Sequence, residues 1–245
     1  LRQTVVSGNN DTLAQLTMQT VTRWLLALII PFAVLGTAHA GDFEEGKQYV
    51  ALSNPQPTST ADKIEVVELF WYGCPHCYEV EPFVKDWLAS KPEDVEFVRM
   101  PAILGKGWEL LAKAYYTAEL LNVMDKVHHA LFDAIHNQRQ KFKTEADVQA
   151  LFSDQGVSAD EFNNTFNSFA VSVKINNARQ MTRRYAISGV PTFIVNGKYS
   201  TSGRLAGGNR QIIEVVNYLA DRERSGMVAA PAAEAAATTA DSAEN

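Results

Sequence analysis

A single cysteine pair constrains this chain more than any other feature of its sequence. Cys74 and Cys77 are its only cysteines, and a Pro-His dipeptide separates them. Residues 64–70, shortly before the pair, are rich in apolar and β-branched side chains, which predicts a strand. The following residues, 75–89, carry apolar side chains at spacings of three and four, which predicts a helix. The pair therefore lies at a strand-to-helix turn.

This position favours reversible dithiol–disulfide chemistry. At the start of a helix, unpaired backbone N–H groups and the helix dipole stabilise a thiolate, so Cys74 is the candidate nucleophile. Cys77 is close enough to attack a mixed disulfide, which makes it the candidate resolving thiol. We expect His76 to add hydrogen bonding or charge to the thiolate, and Pro75 to fix the local backbone.

Two other roles for the cysteine pair stay open. A structural disulfide would close a very short loop and would constrain the unfolded chain little. A zinc site needs about four ligands, but the sequence has no second Cys-x-x-C motif. Residues His128, His129 and His136 lie far from the pair in sequence, and we expect them to be surface or packing residues of a helix. No metal site is predicted.

A cleaved leader is predicted over residues 1–40. Arg23 precedes an apolar run of 12 residues, 24–35, and the small-residue segment after it ends in Ala-His-Ala at residues 38–40, a pattern typical of secretory signal peptides. We expect cleavage after Ala40, with Met18 as the start of translation and the polar residues before it as upstream sequence. The alternative is a membrane anchor, but a span needs about 20 apolar residues.

The rest of the chain divides into segments of different character. Residues 41–104 and 186–225 mix strand and helix patterns, which predicts an α/β domain made of two parts. Residues 105–185 carry only helical patterns, so we expect an all-helical insertion. Residues 226–245 contain nine alanines in 20 positions and no amphipathic stripe, so we expect a disordered tail.

Local signals define the elements within these segments. Because a helix separates strands 64–70 and 95–100, we expect a right-handed parallel crossover. Asn196-Gly197 is typical of a hairpin turn. Thr144 with Asp147, and Ser158 with Glu161, resemble capping boxes. The remaining predicted elements are strands at 191–195 and 198–201, inserted helices at 108–121, 124–136, 144–152, 159–166 and 171–185, and a last helix at 209–224.

Composition excludes some classes of partner. The formal net charge is −6, so the chain offers no reason to expect nucleic-acid binding.

Two further sequence motifs accompany the predicted leader. Residues 70–78 read Phe-Trp-Tyr-Gly-Cys-Pro-His-Cys-Tyr, and residues 189–192 read Gly-Val-Pro-Thr. Together they resemble the DsbA family of periplasmic thiol oxidases. The resemblance extends over most of residues 41–224. It implies a thioredoxin-like fold interrupted by a helical domain. It also implies a monomeric periplasmic oxidase without a bound cofactor, which donates a Cys74–Cys77 disulfide to reduced, unfolded exported proteins and is reoxidised by a membrane quinone reductase of the DsbB type.

The same resemblance assigns further site residues. Val190-Pro191 corresponds to a cis-proline segment that faces the disulfide and offers backbone to an extended substrate. Glu68 matches a buried acid beneath the disulfide, with a raised pKa, and is a candidate proton acceptor for Cys77. Familiar members often pair this acid with lysine, whereas the candidate here is Arg99, which puts lysine-like proton shuttling in doubt.

Other readings of the same residues remain. A periplasmic reductase or isomerase would use the same cysteines, although no separate N-terminal dimerisation domain is evident. A metal-delivery or noncatalytic chaperone module would use the pair as ligands or for stability. Four aromatic residues are candidates for an apolar rim that contacts unfolded substrates, and we expect at least half of them to lie in the core: Trp71, Tyr72, Phe193 and Tyr199.

Overall fold

The computed structural model describes residues 43–241, and their side chains as far as residue 226. The predicted leader therefore lies outside the described residues. The described part contains a five-stranded sheet in the order β1-β5-β4-β2-β3. Its strands are β1 (Val50–Ala51), β2 (Ile64–Phe70), β3 (Val95–Pro101), β4 (Thr192–Val195) and β5 (Tyr199–Ser202).

The first helix, α1, connects the two central parallel strands. It spans Pro75–Leu88 and follows β2 directly after the cysteine turn. Strand β2 pairs in parallel with β3, starting with Ile64 beside Val95, which confirms the predicted parallel arrangement of these two strands. On its other side β2 pairs antiparallel with β4. Strand β2 thus lies inside the sheet, and all seven of its residues are buried.

The middle of the chain is helical, as the periodicity predicts. Five helices follow a short 3-10 turn at Lys106–Trp108. Both predicted capping boxes are present, with Thr144 and Asp147 at one helix start and Ser158 and Glu161 at another. The helices are α2 (Glu109–Leu120), α3 (Met124–His136), α4 (Glu145–Asp154), α5 (Ala159–Phe166) and α6 (Phe169–Arg184).

The hairpin of β4 and β5 turns at Asn196-Gly197, where both residues have positive φ, 49° and 63°. A side chain at Gly197 would clash as well, because its Cβ would lie 2.0 Å from the Gln56 carbonyl oxygen. Two helices close the chain, α7 (Gly203–Ala206) and α8 (Asn209–Asp241). Within the described residues, no helix is both long and apolar enough to cross a membrane.

Besides shifts of one or two residues at the ends of several elements, one helix end and two short elements differ from the sequence predictions. Helix α8 continues through the alanine-rich segment to Asp241, where we predict a disordered tail; alanine has the highest helix propensity, which accounts for the difference. Strand β1 and helix α7 are not predicted, because two and four residues are too few for a periodic pattern.

The buried side chains form separate clusters on the two faces of the sheet. One cluster packs Ile64 and Val66 of β2 against α1 and α8. The opposite face of β2, at Val67 and Leu69, packs against Tyr185 after α6. A third cluster joins Phe70 and the cysteine turn to the inserted helices. The cysteine turn is therefore held between the sheet and the helical insertion.

Candidate active site

The two cysteines lie at the start of α1 in different surroundings. Cys74 is the N-cap residue, with Pro75 as the first helical residue, and its thiol is half-buried. Cys77, one turn into the helix, is completely buried. Proline is well suited to the first helical position, because its fixed φ matches the helix and its missing N–H would have no partner there. A partner molecule thus has access to the sulfur of Cys74 and not to that of Cys77.

Their thiols have opposite acidities. The pKa of Cys74 falls to about 6, chiefly because the Cys77 thiol donates a hydrogen bond to its sulfur. Burial acts in the opposite direction and raises the pKa, but the backbone N–H groups of Cys77 and His76 lower it further. The pKa of Cys77 is raised, first by burial and then by its interaction with Cys74. At neutral pH Cys74 is therefore a thiolate and Cys77 a thiol.

His76 lies on the surface beside the cysteine pair. Its Nδ1 is 2.9 Å from Glu79 Oε2, and this hydrogen bond raises the pKa of the imidazole. The charge of His76 also lowers the pKa of Cys74, as one of the smaller effects. The side chain is mostly exposed, so solvent reduces its influence on Cys74.

The Val190-Pro191 segment faces the nucleophile. The peptide bond between these residues is cis, as the resemblance implies. Cys74 Sγ lies 3.4 Å from the Val190 carbonyl oxygen, to which the thiol donates a hydrogen bond when it is protonated. A cleft beside this contact is lined by His76, residues 188–192, residues 202–204, Gly208 and Asn209. The segment and the accessible sulfur therefore border the same open surface.

Glu68 lies in the middle of β2 and is completely buried. Arg99 stands directly beside it on β3, and its Nε donates a hydrogen bond to Glu68 Oε2 across 3.0 Å. Within residues 43–226, the other carboxyl oxygen, Oε1, has no hydrogen-bond partner. Burial raises the pKa of Glu68 to about 7, against the opposing effect of Arg99. The carboxyl group is thus able to hold or release a proton near neutral pH.

Arg99 also binds a second carboxylate that the sequence analysis does not identify. Its Nη2 donates to both carboxyl oxygens of Glu81, at 3.1 and 3.0 Å. Glu81 is on α1 and is only 5% exposed. The burial of Glu81 could have been predicted from its position in the sequence. It falls four residues after Cys77 and three before Val84, on the apolar face of the helix.

The three histidines of α3 occupy different environments. His129 is exposed and His136 is half-buried, with its Nε2 2.8 Å from the Tyr72 carbonyl oxygen. His128 is buried, and its Nδ1 lies 2.9 Å from the Tyr72 hydroxyl. Its other nitrogen, Nε2, lies 3.3 Å from Glu81 Oε2. His128 is therefore buried among polar neighbours, and neither its burial nor these neighbours are predicted from the sequence.

Two of the four candidate rim residues are in the core. Tyr72 and Phe193 are completely buried. Trp71 and Tyr199 are partly exposed. Trp71 stacks on Trp108 of the insertion with ring centroids 4.4 Å apart. Of the four, only these two expose part of the side chain to a substrate.

Across the side chains of residues 43–226, no three His, Cys, Asp or Glu residues come together in a way that suits a metal ion.

Comparison with known proteins agrees with this geometry. The family of DSBA-like thioredoxin domains matches residues 91–219. The thiol:disulfide interchange protein DsbA of Pseudomonas aeruginosa is 41% identical over 202 residues, which are 82% of this chain and 96% of that protein. Its crystal structure has a TM-score of 0.73 and covers 76% of this chain and 96% of its own. The oxidoreductase DsbA of Xylella fastidiosa is 33% identical, with a TM-score of 0.69, over 74% of this chain and 97% of its own.

The family match covers more than half of the chain, and the relatives match most of it. Both comparisons lead to the same assignment as the cysteine turn. This chain belongs to the DsbA family of thiol:disulfide oxidoreductases, which has a thioredoxin-like fold with a helical insertion.

Proposed function

We propose that this protein is a dithiol oxidase that donates a Cys74–Cys77 disulfide to reduced, unfolded exported proteins. The observation that carries the proposal is the contrast within the pair: Cys74 is accessible with a pKa of about 6, while Cys77 is buried with a raised pKa. A stabilised Cys74 thiolate favours the reduced protein over its disulfide, so electrons move from the substrate to this protein.

The reaction proceeds in two exchanges. A substrate thiolate attacks Cys74 Sγ, the bond between the two cysteine sulfurs breaks, and Cys77 leaves and takes up a proton. A second substrate thiolate then attacks the substrate sulfur of the mixed disulfide and releases Cys74 as a thiolate. The substrate loses two electrons and gains a disulfide, and the protein gains both electrons.

Glu68 serves as the proton donor and acceptor for Cys77 in this proposal. Its pKa of about 7 suits proton transfer near neutral pH, and its unpaired Oε1 is free to take part. Arg99 remains charged throughout and orients the carboxylate. The arginine therefore positions Glu68 and does not carry the proton itself.

Val190 and Pro191 form the proposed substrate-binding segment. The Val190 carbonyl oxygen lies within hydrogen-bonding distance of Cys74, so an extended peptide attached to Cys74 would run alongside it. His76 borders the same cleft. Pro75 keeps the cysteine turn in position as the first residue of α1.

The cellular context follows from the leader and from the family. We propose that residues 1–40 direct export to the periplasm and are removed, and that the protein acts there as a monomer without a bound cofactor. Residues 41–104 and 186–225 would form the thioredoxin-like domain and residues 105–185 the helical domain. A membrane quinone reductase of the DsbB type would reoxidise the cysteine pair.

A peptide-oxidation assay tests this function. The oxidised protein should form a disulfide in a reduced two-cysteine peptide in one turnover, and Cys77→Ser should accumulate the mixed disulfide on Cys74 when supplied with an activated peptide disulfide. Glu68→Gln should flatten the pH dependence of the wild-type rate between about pH 6 and pH 8. A wild-type protein that reduces peptide disulfides but leaves reduced peptides untouched would exclude the oxidase direction.

A further inference from the structure

The buried charges beneath the cysteine pair do not balance unless the cluster holds one extra proton. Glu68 on β2 and Glu81 on α1 both face Arg99 on β3. Two carboxylates and one guanidinium carry a net charge of about −1 when all are ionised, and an unbalanced buried charge is unfavourable. The buried groups are therefore neutral as a whole only if one more proton binds to them.

Two buried groups are able to hold that proton. One is Glu68, whose Oε1 has no hydrogen-bond partner among the described residues. The other is His128 on α3, whose buried Nε2 lies 3.3 Å from Glu81 Oε2. A proton on either group gives the four-residue cluster of Glu68, Glu81, Arg99 and His128 a net charge of zero.

The groups around His128 fix its orientation. The Tyr72 hydroxyl, just after β2, lies 2.9 Å from Nδ1, so Nε2 points toward Glu81 of α1. Burial lowers the pKa of His128, Glu81 opposes this effect, and Arg99 and His129 add to it. Tyr72 remains a neutral phenol, because burial raises its pKa and the neighbouring Tyr115 of α2 raises it further.

We propose that His128 is a positioning residue of the redox centre: it is the alternative site of the proton that Glu68 holds, and so links the helical insertion to proton transfer at Cys77.

Given the oxidase function proposed above, a proton moves between Glu68 and Cys77 in each half of the redox cycle, and His128 compensates the change in charge. When Cys77 leaves the disulfide as a thiolate, Glu68 gives it a proton and becomes a carboxylate. His128 then binds a proton from water, and the cluster returns to zero net charge. During reoxidation Cys77 returns its proton to Glu68, and His128 releases its proton to water.

The first test compares two neighbouring histidine variants. Without an ionisable group at position 128, the ionised form of Glu68 loses its compensating charge. In His128→Gln, the pH midpoint at which the single-turnover rate of peptide oxidation falls should move up by about one unit. His129→Gln is the matched control, because His129 is the exposed neighbour on the same helix and solvent reduces its effect on the cluster. Its midpoint should stay much closer to that of the wild type than the midpoint of His128→Gln does.

Equal midpoints in His128→Gln and His129→Gln would overturn the proposal. A wild-type protein that does not oxidise the peptide would refute the proposed function instead, and the rate assay would then not bear on His128. The second test avoids this dependence because it requires no turnover.

The second test measures the reciprocal effect by NMR. Linkage requires that Glu68 change the proton affinity of His128 as much as His128 changes that of Glu68. The His128 imidazole should therefore titrate about one unit lower in reduced Glu68→Gln than in the reduced wild-type protein, because the amide removes the charge that a protonated His128 balances. An unchanged His128 titration in the folded variant would overturn the proposal.

Discussion

At the residue scale, the chemistry depends on two identical side chains made different by position. Cys74 lies at the N-cap of α1 and Cys77 one turn later, and only the second is completely buried. The sequence predicts the nucleophile, because a strand followed by a helix places Cys74 at the helix start. It does not predict the degree of burial of Cys77, which depends on the inserted helices that cover it.

The Cys74 thiolate should be visible directly by its ultraviolet absorbance. In the reduced wild-type protein we expect a midpoint near pH 6, and in Cys77→Ala a higher midpoint, because the strongest stabilising hydrogen bond is lost. The control is Cys74→Ala, in which the buried Cys77 should give no transition below about pH 9. A wild-type midpoint near the ordinary thiol value would contradict this account.

The same shift predicts how the stability of the reduced protein depends on pH. Because the pKa of Cys74 is lowered to about 6 on folding, the unfolded state binds more protons between about pH 6 and pH 9, and stability rises with pH in that window. The stabilisation is therefore present at high pH and is lost as the pH falls through about 6.

At the element scale, most helices and strands could be predicted from local patterns. The register of the buried acid and its partner could be predicted as well, since Glu68 and Arg99 each occupy the fifth position of parallel strands that begin together, at Ile64 and Val95. Glu81 and His128 could not be assigned a role, because their partners come from elements distant in sequence.

The capping box of α5 gives a test of local stability. Ser158 accepts a hydrogen bond from the backbone N–H of Glu161, whose carboxylate binds back to the cap. Ser158→Ala should lower the free energy of unfolding by about 1 kcal/mol, measured by urea denaturation.

The matched control is Ser153→Ala, at an exposed position inside α4. This replacement should be neutral or slightly stabilising, because alanine is the better helix former. Equal stability in the two variants would show that the Ser158 cap does not stabilise the folded protein.

At the scale of the whole molecule, one buried cluster connects the sheet to the insertion. Phe70 at the end of β2 packs near Phe132 of α3, with ring centroids 6.0 Å apart, and Cys77 belongs to the same cluster. The presence of an insertion was predictable from its uniform helical pattern. Its packing on the cysteine turn was not, because side-chain contacts between distant segments leave no periodic signal.

This shared core predicts cooperative unfolding. Phe132 is completely buried, so Phe132→Ala should lower the free energy of unfolding by about 3 to 5 kcal/mol. Tryptophan fluorescence and far-ultraviolet circular dichroism should still report a single transition in urea.

The control for this variant is Phe169→Ala in the same insertion, where the side chain is 83% exposed. Its effect should stay within about 0.5 kcal/mol. Separate transitions for the two probes in the wild-type protein would contradict a core shared between sheet and insertion.

The redox equilibrium of the cysteine pair tests the central claim most directly. Purified protein is equilibrated with mixtures of reduced and oxidised glutathione, and the fraction of Cys74–Cys77 disulfide is measured at pH 7. Because the Cys74 thiolate stabilises the reduced form, we predict a potential well above the value of about −270 mV typical of thioredoxin. A potential near that of thioredoxin, with a neutral Cys74 thiol at pH 7, would contradict the assignment as an oxidase.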